Sequence, residues 1–131
     1  MSKYLSFVEQ CYPDRQLLVA ALAVLGYAEV EEGEALPLYG YEGDRRPETA
    51  EIVVRRRHIG RASNDLGFAR TAQGYIPIIS EYDQQTLLGG QFLVRLRTAY
   101  SELVVEEVNR RLLGTARRSV EGTLVKIRVR Y

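Results

Sequence analysis

The sequence predicts an α+β fold: a two-layer sandwich in which two helices cover one face of a mainly antiparallel sheet, in the order α-β-β-β-β-α-β-β. Three observations predict it. Two stretches repeat apolar residues with helical spacing, and several short β-branched and aromatic segments are separated by turn residues. A length of 131 residues with 46% hydrophobic and 27% charged residues supports one packed domain, taken as 1–131.

The first helix is expected over residues 14–25, "DRQLLVAALAVL". Asp14 can accept from the free amides of the first turn, Leu17, Leu18, Ala21, Leu22 and Leu25 form one stripe, and Gly26 stands where a left-handed residue ends a helix. The acidic "EVEEGE" reads as a solvated turn. Four strands follow in "LPLYGY", "AEIVVRRRHI", "DLGFART" and "GYIPIISEY", punctuated by "EGDRRP", "GRASN" and "AQG". Pro77 lacks an amide proton, which predicts an edge position or a bulge for the fourth strand. A second helix within residues 84–113 aligns Leu88, Phe92, Leu96, Tyr100 and Leu103, with Gly114 ending it. "TARRSVEGTLVKIRVRY" reads as a hairpin turning near Glu121 and Gly122, its last strand alternating Val125, Ile127, Val129 and Tyr131 with Lys126, Arg128 and Arg130. Leu18, Leu22, Ile52, Val54, Phe68, Leu96, Tyr100, Ile127 and Val129 are the expected core.

Composition narrows function by exclusion. The longest apolar run, "LLVAALAVLG", is too short for a membrane span and lacks the basic leader of a signal peptide. One cysteine, Cys11, cannot form an internal disulfide, and a cytoplasmic setting is the economical reading. One Cys and one His do not supply a zinc ligand set, so no metal and no cofactor is expected. The phosphate-loop pattern and the "GxSxG" elbow are missing, and "LLGGQF" has the wrong context. A Cys11–His58–Asn64 nucleophile set is imaginable, but nothing in the sequence brings its members together. No catalytic residues are assigned.

Charge is unevenly spread beneath a net +1. Residues 1–43 hold two bases and seven acids, a balance of −5, and the other 88 residues hold 16 bases and 10 acids, a balance of +6. The densest basic stretch is "EIVVRRRHIGR", residues 51–61. Read as a strand, it sends Ile52 and Val54 inward and Arg55 and Arg57 to solvent. With Lys126, Arg128 and Arg130, these two arginines would make a basic sheet face, either a plain solvated surface or a partner-binding one. Arg56 continues the inward row, and Glu107 lies on the core stripe of the second helix. The two would meet as a partly buried ion pair if they were not simply at wet margins.

A basic face of this size supports only weak nucleic-acid binding, because no aromatic stacking row accompanies it. A protein partner is the expected ligand, bound by a non-catalytic adaptor or accessory subunit. The alternatives are a weak nucleic-acid-binding module and a small-molecule enzyme with its pocket at "YGYEG" beside Asp65 and Glu81.

"LLVAALAVLGY", "YGYEGDRRPETAEIVVR", "DLGFARTAQGYIPI" and "RTAYSELVVEEV…GTLVKIRVRY", taken in order, resemble the conserved hypothetical open-reading-frame proteins of cyanobacteria and some plastid genomes, a domain of unknown function. That resemblance implies no enzymatic activity and no catalytic residues. It implies a neighbourhood of AAA-type ATPases, hence an ATPase as a plausible protein partner.

Overall fold

The computed structural model describes residues 2–123. It is an α+β domain with a five-stranded antiparallel sheet and three helices. The elements run β1 (Tyr4–Ser6), α1 (Arg15–Val24), β2 (Glu31–Tyr39), β3 (Arg45–Val54), β4 (Leu66–Arg70), β5 (Tyr75–Ser80), α2 (Glu81–Thr86) and α3 (Phe92–Thr123). The strand order in space is β1-β5-β4-β3-β2.

Helix α1 forms for the reasons its sequence supplies. The Asp14 carboxylate accepts from Leu17 N at 3.0 Å, and Gly26 adopts φ +102° while Tyr27 N closes onto Leu22 O at 2.9 Å. Asp14 N also donates to the Tyr100 hydroxyl at 3.0 Å, which ties the start of α1 to α3. Leu18, Ala21 and Leu22 meet Ile52, Val54, Phe68, Leu96 and Tyr100 in the main core, between the helices and one sheet face. Tyr12 sits at its centre, edge-on to Phe68 and Tyr100 with ring centroids 6.3 and 5.0 Å away.

The opposite sheet face has a second, smaller core of Tyr4, Leu38, Ala50, Val53, Ile76 and Ile78. No helix is needed to bury it, because the sheet curls. Strand β3 pairs with β4 only through residues 52–54, so its first half stays with β2 alone. The β2–β3 hairpin then folds across the outer face, and Leu38 and Ala50 press on Gly67. Arg46 reaches the far edge, donating to Ser2 O at 2.8 Å with its guanidinium 5.2 Å from the Tyr4 ring centroid.

Several expectations are corrected. "EVEEGE" is not a turn: residues 31–34 belong to β2, with a bulge that puts Ala35 at φ 48° and lets its amide donate to the Glu51 carboxylate. Pro77 is interior, since β1, a three-residue strand not anticipated, pairs with β5 on its far side. Pro77 O accepts from Phe7 N at 3.0 Å. In an antiparallel ladder a residue's nitrogen and carbonyl face the same neighbour, so the missing proton points where β1 has already ended.

The second helix is broken into α2 and α3 by a 3₁₀ turn at Leu87–Gly90, where Leu88 and Gly89 take φ 50° and 65°. Gly114 does not end α3, and no hairpin turn forms at Glu121 and Gly122, because the helix runs on to Thr123. Glu107 bridging Arg110 and Arg111 supports that continuation, and one internal glycine costs only about 1 kcal/mol. The expected last strand, with Ile127 and Val129, lies outside the described residues. Among the described residues no helix is long and apolar enough to cross a membrane.

Candidate functional site

Where β2, the loop before β4 and the start of α2 converge, five polar residues are buried: Ser63, Asn64, Asp65, Ser80 and Asp83. The chain reaches this arrangement because β3 stops at Val54 and turns through a short 3₁₀ helix at Arg56–His58, so the loop must return over its own strand end.

Asp65, 1% exposed, organises the turn. One carboxylate oxygen accepts from Arg56 N at 2.7 Å, and the other accepts from Tyr39 N and from Arg55 Nη1, both at 2.8 Å. The Arg55 guanidinium continues to Pro37 O at 2.8 Å and grips the Glu31 carboxylate with two bonds of 2.9 and 3.1 Å. One arginine therefore joins β2, the end of β3 and the loop before β4. The bond from Arg55 holds the Glu31 carboxyl below its ordinary range, and the same bond raises the arginine's own affinity for its proton.

Asn64 performs a matching role one residue earlier. Its side-chain oxygen accepts from Tyr41 N at 2.9 Å, its amide nitrogen donates to the Ser80 hydroxyl at 2.8 Å, and its backbone N donates to Asp83 Oδ2 at 2.9 Å. The Ser80 hydroxyl caps α2, accepting from Asp83 N and donating to Asp83 Oδ2. Asp83 Oδ1 is buried without a protein partner.

Above this network lies a shallow cleft of about 330 Å³ lined by Ser2, Tyr41, Ala62, Asn64 and Tyr82. Tyr41 and Tyr82 are 43% and 41% exposed. The polar groups of the floor are already engaged: Asn64 as described, and the Ser2 hydroxyl by Tyr82 N at 2.8 Å. Neighbouring Glu42 pushes the Tyr41 phenol above its ordinary pKa. What the cleft offers is two aromatic rings on a rigid base.

The residues singled out from sequence fare unequally. Arg55 is not on a solvated face; its side chain is 14% exposed and fully engaged, because the strand ends one residue before it. Arg57 is exposed, its Nε donating to His58 Nε2 at 3.2 Å, and His58 also approaches Glu29 at 3.5 Å. Lys126, Arg128 and Arg130 lie outside the described residues, so the basic face is not assembled among those that are described. Arg56 and Glu107 do not pair: Arg56 donates to Ser63 O at 3.0 Å and Arg61 O at 2.8 Å, while Glu107 bridges Arg110 and Arg111. The loop closes on itself within reach of Arg56, whereas Glu107 sits beyond the last core residues of α3.

Cys11, His58 and Asn64 form no set. Asn64 is committed to Tyr41 and Ser80, His58 to Glu29 and Arg57, and Cys11 packs on the outer-face core. No group of three or more His, Cys, Asp or Glu among the described residues is placed to hold a metal. Of "YGYEG", Asp65 and Glu81, only Tyr41 lines the cleft: Asp65 lies in the network beneath it, holding Tyr39 N, and Glu81 N donates to Lys3 O at 2.9 Å at the start of α2. Sequence reasoning missed Asn64 as the cleft's keystone, although a buried amide in a loop has no marker beyond its turn-prone neighbours.

A family model described as "Protein of unknown function (DUF1257)" matches residues 21–123. The chain belongs to the DUF1257 family. The matched span holds Tyr41, Asn64, Asp65, Tyr82 and Asp83, so the network and all of the cleft's lining except Ser2 lie within it. No curated protein and no solved structure matches the chain.

Two ionisations report on this site. Burial first, then Asp65, raises the pKa of Tyr4, whose hydroxyl donates to Asp65 O at 2.7 Å. A folded value above the ordinary one of about 10 means its contribution is complete below that pH and is lost as pH rises through the folded value. Glu31 has the opposite sign: its contribution is present above the ordinary carboxylate pKa and is lost as pH falls through the depressed folded value. The urea midpoint should therefore drop on the alkaline side, and Tyr4→Phe should flatten that limb while costing about 1 kcal/mol at neutral pH. An alkaline limb unchanged in Tyr4→Phe would assign it to other groups.

Proposed function

We propose that this domain is a non-catalytic, protein-binding adaptor, and that the cleft between Tyr41 and Tyr82 is its docking site. The observation that carries the reading is two half-exposed tyrosine rings over a floor whose hydrogen-bonding groups are already used. Half-exposed aromatics on a rigid base suit an anchoring side chain of a partner, since tyrosine supplies large contact area with little loss of rotamer freedom. At about 330 Å³ the cleft is at the small end of ligand sites and takes one apolar or aromatic anchor.

The enzyme reading is weaker at this site. Among the described residues its lining holds no carboxylate, imidazole, thiol or amine, and the two nearby acids, Asp65 and Asp83, are buried beneath it. The nucleic-acid reading loses Arg55 to the network. An AAA-type ATPase is the partner class we favour, in a cytoplasmic setting and among cyanobacterial and plastid relatives, on the strength of the sequence resemblance.

The test is a native pull-down with mass spectrometry, using wild type and a Tyr41→Ala/Tyr82→Ala double variant of unchanged thermal stability. A stoichiometric partner held by wild type and lost at least tenfold from the variant is expected, and tenfold corresponds to about 1.4 kcal/mol. A partner retained by the variant, or turnover of a small molecule by the purified chain, would contradict the proposal.

A further inference from the structure

Helix α3 carries more apolar surface than the domain uses. Its core stripe, Phe92, Leu96, Ala99, Tyr100 and Leu103, faces the body and stops there; the next positions on that side are Glu107, Arg110 and Gly114. On the opposite side a second row runs through Val94, Thr98, Ser101, Val105, Val108, Leu112 and Thr115. The steps alternate four and three, the a/d spacing of a coiled coil held over three heptads. At 100° per residue this row is centred about half a turn from the core stripe. Val94, Val105 and Val108 on it are 61%, 57% and 49% exposed.

Two further facts point to what covers this row. Among the described residues, nothing in the main core packs on α3 beyond Val104, yet the helix continues to Thr123. That half contains Val105, Val108 and Gly114, all mediocre helix formers, and isolated helices of this length are marginal in water. Secondly, a shallow concavity opens along one flank of the row, lined by Ser101 and Val105 of the row and by Glu102 and Glu106 beside it. Small Ser101 leaves the gap, and Leu112 in the same row is the knob of a size to fill it.

We propose that α3 pairs antiparallel with α3 of a second copy across a two-fold axis, through this row. With Ser101 set against Leu112 of the partner copy, Val105 falls against Val108 and Thr98 against Thr115, each layer closing in both directions as an isologous contact requires. A parallel pairing would instead oppose Ser101 to Ser101 and leave the gap empty. The row spans about 32 Å at 1.5 Å per residue. Such a strip, roughly 1,000 Å² in total, is at the size of weak, reversible contacts, and a dissociation constant of about micromolar order is expected. This surface is separate from the tyrosine cleft, and neither proposal depends on the other.

Sedimentation equilibrium of the full chain should show a monomer–dimer equilibrium that Val105→Glu/Val108→Glu weakens at least tenfold. The orientation is tested in a Cys11→Ser background by oxidising Ser101→Cys chains alone, Leu112→Cys chains alone, and a mixture of the two. The mixture alone should give an efficient cross-linked dimer. A wild-type chain that stays monomeric at 100-fold above the micromolar range overturns the proposal. So does self-association indifferent to the glutamates, or efficient cross-linking of Ser101→Cys chains alone.

Discussion

Asp65→Ala is expected to lower stability by about 3–5 kcal/mol, the largest effect of any polar substitution in the described residues. The change removes the acceptor of Tyr39 N, Arg56 N and Arg55 Nη1 together. It leaves the 14% exposed Arg55 guanidinium with only the half-exposed Glu31 and Pro37 O, and two backbone amides lose their partner where water has poor access. Arg55→Ala should cost less, because Glu31 is 44% exposed and can be rehydrated, and the buried Asp65 carboxylate keeps its bonds from Tyr39 N and Arg56 N. Asp65→Asn keeps the volume but replaces two acceptor oxygens with one and should fall between them. Urea unfolding monitored by far-UV circular dichroism measures all three. A loss below about 1 kcal/mol for Asp65→Ala would mean that the clamp does not hold the β2, β3 and β4 ends together.

The second large effect is expected at Gly67, where β4 passes beneath the folded-over hairpin. A methyl group there would stand 2.7 Å from Ala50 Cβ and 3.1 and 3.2 Å from the Leu38 methyls. Leu38 can shift, but Ala50 has no side-chain freedom, so the backbones must separate. Gly67→Ala should cost about 1–3 kcal/mol through overpacking. The decisive variant is Gly67→Ala/Ala50→Gly, which returns the space and should recover most of the loss despite a second glycine's flexibility. Simple additivity of the two changes would show that the hairpin does not lie across β4 as described.

The parts of the fold that were legible in the sequence were those specified locally. Asp14, the leucine stripe and Gly26 define α1 without help from the rest of the chain, and the alternation around Ile52 and Val54 marks β3. Three residues of β1 carry too little pattern to be seen, yet that strand makes Pro77 interior. The break at Leu88 and Gly89 was hidden because the stripe through Phe92 and Leu96 keeps its spacing on either side. The end of α3 was misjudged by giving Gly114 the weight of a terminator, when the Glu107–Arg110–Arg111 group continues the helix past it.

The same division holds for the site. Of the pocket expected at "YGYEG" beside Asp65 and Glu81, Tyr41 lines the cleft, while Asp65 is buried beneath it and Tyr82 rather than Glu81 forms the facing wall. Arg55 was misread because its exposure depended on β3 continuing one residue further. Its true role is set by acids 24 residues before it and 10 after it, Glu31 and Asp65, a relation that only the curl of the sheet creates.

The most direct test of the docking site is a chemical-shift map. Adding the purified partner, or the segment of it that binds, to ¹⁵N-labelled protein should perturb the amides of Ser2, Tyr41, Ala62, Asn64 and Tyr82 first and most, with smaller changes relayed to Tyr39 and Asp83. Perturbations centred instead on the acidic residues of β2, or on Arg57 and His58 with the cleft silent, would contradict the account.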